Sequence, residues 1–174
     1  MDSLFRKFGK VGMVNASANW DKWNSIAESM INHEDQKVKI AMVGKYVTLA
    51  DSYVSVNHAL KHAGAKLGKS VQIDWIDSES ITDYDVLSKY NGILVPGGFG
   101  VRGSEGIIKT ANYAREKNIP YLGICFGFQL AAIAFGREVL KLDDANSTET
   151  KPDAKNPIVD LLPEQKSISD MGAS

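Results

Sequence analysis

From Val38 onward, short apolar runs alternate with amphipathic segments. Val38-Lys39-Ile40-Ala41-Met42-Val43 reads as a buried strand ending at Gly44-Lys45. Asp51 or Ser52 caps a following helix that runs to about Leu67. Val56, Ala59, Leu60, Ala63 and Leu67 form its apolar stripe, and Gly68 supplies its stop. Residues 71–76 alternate and predict a second strand. Residues 81–89 predict a short helix, 92–95 a third strand and 104–116 a longer helix. Residues 121–124 predict a fourth strand, and 126–135 a helix stopped by Gly136. Strands alternating with helices imply an α/β fold: an open, mostly parallel sheet with helices on both faces.

The two ends of the chain differ from this middle. Beyond Leu140 the periodicity fades. Asn146-Ser147-Thr148-Glu149 and the prolines at 152, 157 and 163 predict loops, with one short strand near Ile158-Val159. At the other end, residues 11–18 read as strand or coil. Residues 21–31 place Trp23, Ile26, Ala27 and Met30 at helical spacing, with Asn19 or Asp21 as a cap. His33-Glu34-Asp35-Gln36-Lys37 is polar and reads as a linker. The pattern therefore separates 1–37 from a domain over 38–174. No internal repeat or low-complexity tract is present.

Composition narrows the function classes. The chain has 174 residues and 44% hydrophobic residues, enough to bury a core. A net charge of −1 gives no broad basic surface for nucleic acid. No apolar run approaches the ~20 residues of a membrane span, and the first residues do not form a secretory signal. A single cysteine excludes an internal disulfide. A cytoplasmic protein without membrane or nucleic-acid partners is expected.

That cysteine, Cys125, lies in Gly123-Ile124-Cys125-Phe126-Gly127-Phe128-Gln129, between a short apolar strand and an apolar helix. A Gly-x-Cys-x-Gly turn between strand and helix is a nucleophile elbow. It lifts the side chain clear of the backbone at the positive end of a helix, which favours an anion. The thiolate is the attacking form of cysteine, and acyl chemistry follows. Pro96-Gly97-Gly98-Phe99-Gly100 follows another strand, where ligands of such sheets bind. Its glycines let backbone N–H groups approach a substrate, and with the Phe126 N–H they form a candidate oxyanion hole. The bland alternative is a tight turn. Gln129 sits one helical turn beyond Cys125 and is either a core hydrogen-bonder or a substrate contact. His58 and His62 have i, i+4 metal-ligand spacing, but nothing completes a site, and a solvated face is the expectation. No metal site is predicted.

Three segments together carry a family resemblance. Gly97-Gly98-Phe99-Gly100-Val101-Arg102-Gly103, the Cys125 elbow and Ala145-Asn146-Ser147-Thr148-Glu149 resemble the class I glutamine amidotransferase domain of the CTP synthase family. Val43-Gly44-Lys45-Tyr46 and residues 55–62 resemble it too, and the likeness runs from about Val38 to Pro163. The resemblance implies a flavodoxin-like three-layer fold, incomplete at its C-terminus, with residues 1–37 as the end of a synthetase domain plus an interdomain linker. It implies that Cys125 attacks the side-chain amide of L-glutamine. Gly97, Gly98, Phe126 and Gly127 then make oxyanion and backbone contacts, and Phe99 and Phe128 flank the substrate. Gln129 and Glu149 hold its α-amino end, and Arg102 belongs to a loop linked to GTP activation. Phe126 and Phe128 stand where the family more often has leucine and methionine, with bulk and apolarity kept. No cofactor is implied for this domain. The whole enzyme implies ATP, UTP, Mg and allosteric GTP, a synthetase domain on the same polypeptide and a homotetramer.

The family's cysteine is activated by a histidine that a glutamate orients, both downstream of the elbow. Here the three histidines, His33, His58 and His62, all precede Cys125. The sequence therefore reads as a fragment lacking two triad members, with little or no glutaminase activity alone. Two other readings compete: a catalytically dead regulatory or interaction module, and another cysteine hydrolase of the superfamily. The latter often has histidine directly after its cysteine, where this chain has Phe126.

Overall fold

The computed structural model describes residues 20–32, 36–45 and 50–162. Its main sheet contains β1 (Lys37–Gly44), β2 (Ser70–Asp77), β3 (Gly92–Val95) and β4 (Tyr121–Gly123), all parallel. The order is β2-β1-β3-β4. The chain first steps outward from β1 to β2, then crosses back over β1 to lay down β3 and β4. That reversal opens a crevice beyond the carboxyl ends of β1 and β3.

Strand geometry explains the apolar runs. Successive side chains alternate between faces, so Ala41 and Val43 turn one way and Met42 the other. On the first face they meet Ile93, Val95, Ile107, Phe126 and Leu130. This side is covered by α3 (Ser104–Glu116) and α4 (Phe126–Glu138). On the second face Met42 and Leu94 meet Tyr53, Val56, Leu60 and Trp75, under α2 (Val54–Lys66). With both faces covered, β1 and β3 need no polar alternation. This is the parallel α/β sheet that the pattern predicts.

Several boundaries differ from expectation. Helix α2 starts at Val54, after a 3-10 turn over Ala50–Tyr53, rather than at a cap on Asp51 or Ser52. The Tyr53 ring decides the entry: it is buried against Trp75, with ring centroids 5.5 Å apart. Of the expected stripe, Val56 and Leu60 face the core, whereas Ala59, Ala63 and Leu67 are exposed. The short helix expected over 81–89 is a 3-10 helix confined to Tyr84–Lys89, with the Asp83 carboxylate accepting the Asp85 N–H at 2.9 Å. Gly136 does not stop α4. It lies inside the helix because a β-carbon there would stand 3.1 Å from Ala145 Cβ and 3.3 Å from Ile158.

Those two contacts belong to a second sheet. β5 (Ala145–Ser147) and β6 (Asn156–Val159) pair in parallel where only one strand was expected. Strands of three and four residues are too short to show alternation. Their position comes from packing on α4.

Helix α1 (Trp20–Asn32) lies against α2 and β2. Its expected stripe is not a buried face: Trp23 and Ala27 are exposed and Ile26 is half-buried. Residues 1–19, 33–35, 46–49 and 163–174 fall outside the described residues, as do the readings at 11–18, Asn19 and His33 and the side chain of Met30. Among the described residues, no helix is long and apolar enough to cross a membrane.

Candidate active site

Three strand ends meet in the crevice. β1 delivers Lys45, β3 the loop beginning at Pro96, and β4 the turn that carries Cys125. Cys125 occupies the cap position of α4 with φ 51° and ψ −107°. A positive φ costs a residue with a β-carbon roughly 1–2 kcal/mol, so the surroundings must hold it there. They do so through the backbone. The Ile124 N–H donates to Val95 O at 2.9 Å, and the Gly127 N–H donates to Ile124 O at 3.0 Å. The Phe128 and Gln129 N–H groups both donate to Cys125 O at 3.1 Å. The Tyr121 hydroxyl donates to Gly127 O at 2.9 Å, and burial pushes its pKa far above the ordinary tyrosine value. A β-carbon on Gly123 would stand 2.5 Å from the Gly127 and Phe128 backbone, so the turn requires glycine there. The thiol itself is exposed.

The glycine loop lies against this turn. A β-carbon on Gly97 would be 3.7 Å from Cys125 Cβ, and one on Gly98 would be 3.8 Å from Phe126 Cδ1. The Phe126 N–H is among the helix-start donors that have no acceptor within the helix. The glycine loop and the first residue of α4 therefore both lie beside Cys125. The loop's shape depends on Gly100 and Gly103, at φ 80° and 68°. Phe99 and Phe128 stand exposed at its rim.

Lys45 ties the loop to the elbow, and no hydropathy signal singles it out. It is 6% exposed, and its Nζ donates to Phe99 O at 2.9 Å and to Gly100 O. The same ammonium sits 4.2 Å from the centroid of the Phe126 ring. Burial is the leading cause that lowers the Lys45 pKa; the Glu149 carboxylate opposes it, Arg102 adds to it and Glu79 opposes it. Glu149 is exposed, with its own N–H on Ser147 Oγ at 3.2 Å. Arg102 donates from Nη2 to Lys45 O at 2.9 Å and reaches Glu79 at 3.5 Å. Gln129 is half-buried and its side chain has no hydrogen bond to a described residue.

Residues 48–169 match the model of the glutamine amidotransferase class-I family. The chain belongs to the class I glutamine amidotransferase family. Within it, the chain is similar to CTP synthases. It is 51% identical over 157 residues to the CTP synthase of Staphylococcus saprophyticus, covering 88% of this chain and 29% of that protein. It is 52% identical over 160 residues to that of Halalkalibacterium halodurans, covering 90% of this chain and 30% of that protein. The chain thus spans about 30% of the length of the curated relatives it matches. Its fold is similar to the glutaminase domain of Trypanosoma brucei CTPS with bound acivicin. The TM-score is 0.69 at 36% identity, covering 74% of this chain and 51% of that one.

In the crevice the structure brings Cys125, Gly97, Gly98 and Phe126 together, and Phe99 and Arg102 hydrogen-bond Lys45. Among the described residues no hydrogen bond links Cys125 to a histidine, His58 and His62 being the two described. Both histidines are exposed on α2 with rings 6.3 Å apart. Among the described residues, no group of three metal-ligating side chains is close enough to hold an ion. Lys45 lies in the Val43-Gly44-Lys45-Tyr46 segment of the family resemblance. The available signal was its place directly after a buried strand, at a sheet end where ligands bind.

Proposed function

We propose that this chain carries the thiol-bearing, glutamine-binding part of a glutaminase. The reading rests on Cys125, held at positive φ on an elbow and faced by the Gly97-Gly98 backbone. Its sulfur attacks the side-chain carbonyl carbon of glutamine, and the S–C bond forms as the C–N bond breaks. Ammonia leaves with a proton, and water then hydrolyses the glutamyl thioester to glutamate and free thiol. Gly97, Gly98 and Phe126 N–H groups receive the oxyanion, with Gly127 closing the turn. Phe99 and Phe128 flank the substrate, and Gln129 and Glu149 hold its α-amino end. In a whole CTP synthase the ammonia would aminate UTP with ATP and Mg, in a cytoplasmic homotetramer, with GTP acting through the Arg102 loop.

Departure of ammonia needs a proton donor, and a positioned one contributes about 10²–10⁴-fold. With no histidine hydrogen-bonded to Cys125 among the described residues, the 174-residue chain turns over glutamine slowly or not at all. Thioester formation is the part it retains.

The test is labelling with an electrophilic glutamine analogue, read by mass spectrometry. Attachment to Cys125, protection by glutamine and loss in Cys125→Ala are expected. Labelling that glutamine does not slow would overturn the proposal.

A further inference from the structure

We propose that Lys45 is a positioning residue of this site: its ammonium fixes the glycine loop and the elbow relative to one another. The inference rests on the glutaminase reading and deepens it. Three contacts carry it. Nζ donates to Phe99 O and to Gly100 O, two successive carbonyls of the loop. The same atom sits 4.2 Å above the Phe126 ring, on the first residue of α4. Gly98 packs against the other side of this junction, since its β-carbon would lie 3.8 Å from Phe126 Cδ1.

The physical consequence follows from peptide geometry. A trans peptide is planar, so turning the Phe99 and Gly100 carbonyls onto one ammonium sets two successive planes. The Gly98 N–H lies two peptide planes before the first of them. The Gly97, Gly98 and Phe126 N–H groups are the donors offered to the oxyanion, and Lys45 touches the loop that carries the first two and the ring of the third. The loop has little else to set its shape. Gly100 lies at φ 80°, and a β-carbon there would meet nothing within 4 Å. Besides Lys45, Ser104 Oγ donates to Gly100 O at 3.1 Å. Lys45 is itself anchored, because its carbonyl accepts the Arg102 guanidinium at 2.9 Å. A loop shifted by about 1 Å costs on the order of 10²-fold in a step that needs oriented donors. An SN2 displacement at carbon develops no oxyanion and is indifferent to them.

The experiment compares these two reactions of Cys125 in the full 174-residue chain. The γ-(4-nitrophenyl) ester of glutamate acylates the thiol: the S–C bond forms, the C–O bond breaks, and 4-nitrophenolate leaves without needing an acid. Its burst reports the acylation rate and the substrate KM separately. Iodoacetamide alkylates the same sulfur by displacing iodide. In Lys45→Met and Lys45→Gln the acylation rate should fall roughly tenfold or more. Alkylation should stay within about twofold, and Lys45→Arg should recover much of the loss by donating to the same carbonyls. Circular dichroism identifies a variant that fails to fold, and the remaining variants then carry the comparison. Acylation within twofold of the parent in Met and Gln, or equal loss of both reactions, overturns the role of Lys45 alone. Absence of a Cys125-dependent burst in the parent overturns the glutaminase reading, and the Lys45 role with it.

Discussion

A β-carbon on Gly127 would stand 2.4 Å from the carbonyl oxygen of Val95 and 2.8 Å from its Cβ. Val95 ends β3 and Gly127 is the second residue of α4, so the elbow is seated directly on a strand end. That oxygen already accepts the Ile124 N–H at 2.9 Å. Gly127→Ala should force α4 away from β3 at a cost of about 1–3 kcal/mol. A lowered urea midpoint measures it, together with weaker protection of Cys125 by glutamine. Gly98→Ala is the contrast. Its β-carbon would find ordinary contact at 3.8 Å from Phe126, and stability should stay within about 0.5 kcal/mol.

Cys125 is expected to trade stability for presentation of its thiol. At φ 51° it holds a conformation that glycine adopts freely. Cys125→Gly should therefore raise unfolding free energy by about 1 kcal/mol while abolishing labelling. Cys125→Val, branched at the β-carbon, should lower it. A glycine variant less stable than the parent would show that the elbow is not strained.

Arg137 joins three elements, and its two partners are not equivalent. Nε donates to Ala145 O at 2.8 Å, and Nη1 pairs with Glu105 at 2.9 Å. The Arg137 side chain is mostly buried, whereas the Glu105 side chain is 65% exposed. Removing Glu105 should cost only about 0–1 kcal/mol, as for other solvated pairs. Arg137→Ala should cost about 1.5–3 kcal/mol, because a charged hydrogen bond to β5 goes with it. Denaturant melts of the two single variants separate these contributions. Equal losses would mean that the ion pair, not the carbonyl bond, holds β5.

Tyr90 gives stability an alkaline limit. Burial first, then the hydrogen bond to Asp74 at 3.0 Å and that residue's charge, push its pKa from 10.0 up to about 12. A protonated phenol is favoured in the folded state. Its contribution is therefore full below pH 10.0 and is lost as pH rises toward about 12. Tyr90→Phe should cost about 1 kcal/mol at neutral pH, and the gap to the parent should close across that window. Asp74 behaves oppositely: hydrogen bonds from Gln72 and then Tyr90 hold its carboxyl below 3.8. Its contribution is present above that value and lost as pH falls through the lowered one. Urea midpoints measured against pH check both arms, and a constant Tyr90→Phe difference up to pH 12 would contradict the assignment.

Legibility in the sequence follows how local each cause is. β1, β3 and α3 stand out because burial on both faces of a sheet, or one face of a helix, imposes a period within a few residues. β5 and β6 do not stand out, because three- and four-residue strands take their place from packing on α4. Gly136 looked like a helix stop, the commonest use of glycine at such a spot. In the fold it admits Ala145 and Ile158 to the helix surface instead.

The same division runs through the site. The sequence alone determined that a thiol would stand on an elbow, since Gly123, Cys125 and Gly127 are neighbours in the chain and their steric needs are local. It also determined that two glycine-rich turns would share the carboxyl edge of a parallel sheet. Only the tertiary structure decided what holds those turns together. Lys45 meets its carbonyl partners across 54 and 55 residues of chain. A buried ammonium must find acceptors, but which ones it finds depends on the strand order β2-β1-β3-β4. That order sets the end of β1 directly beside the end of β3.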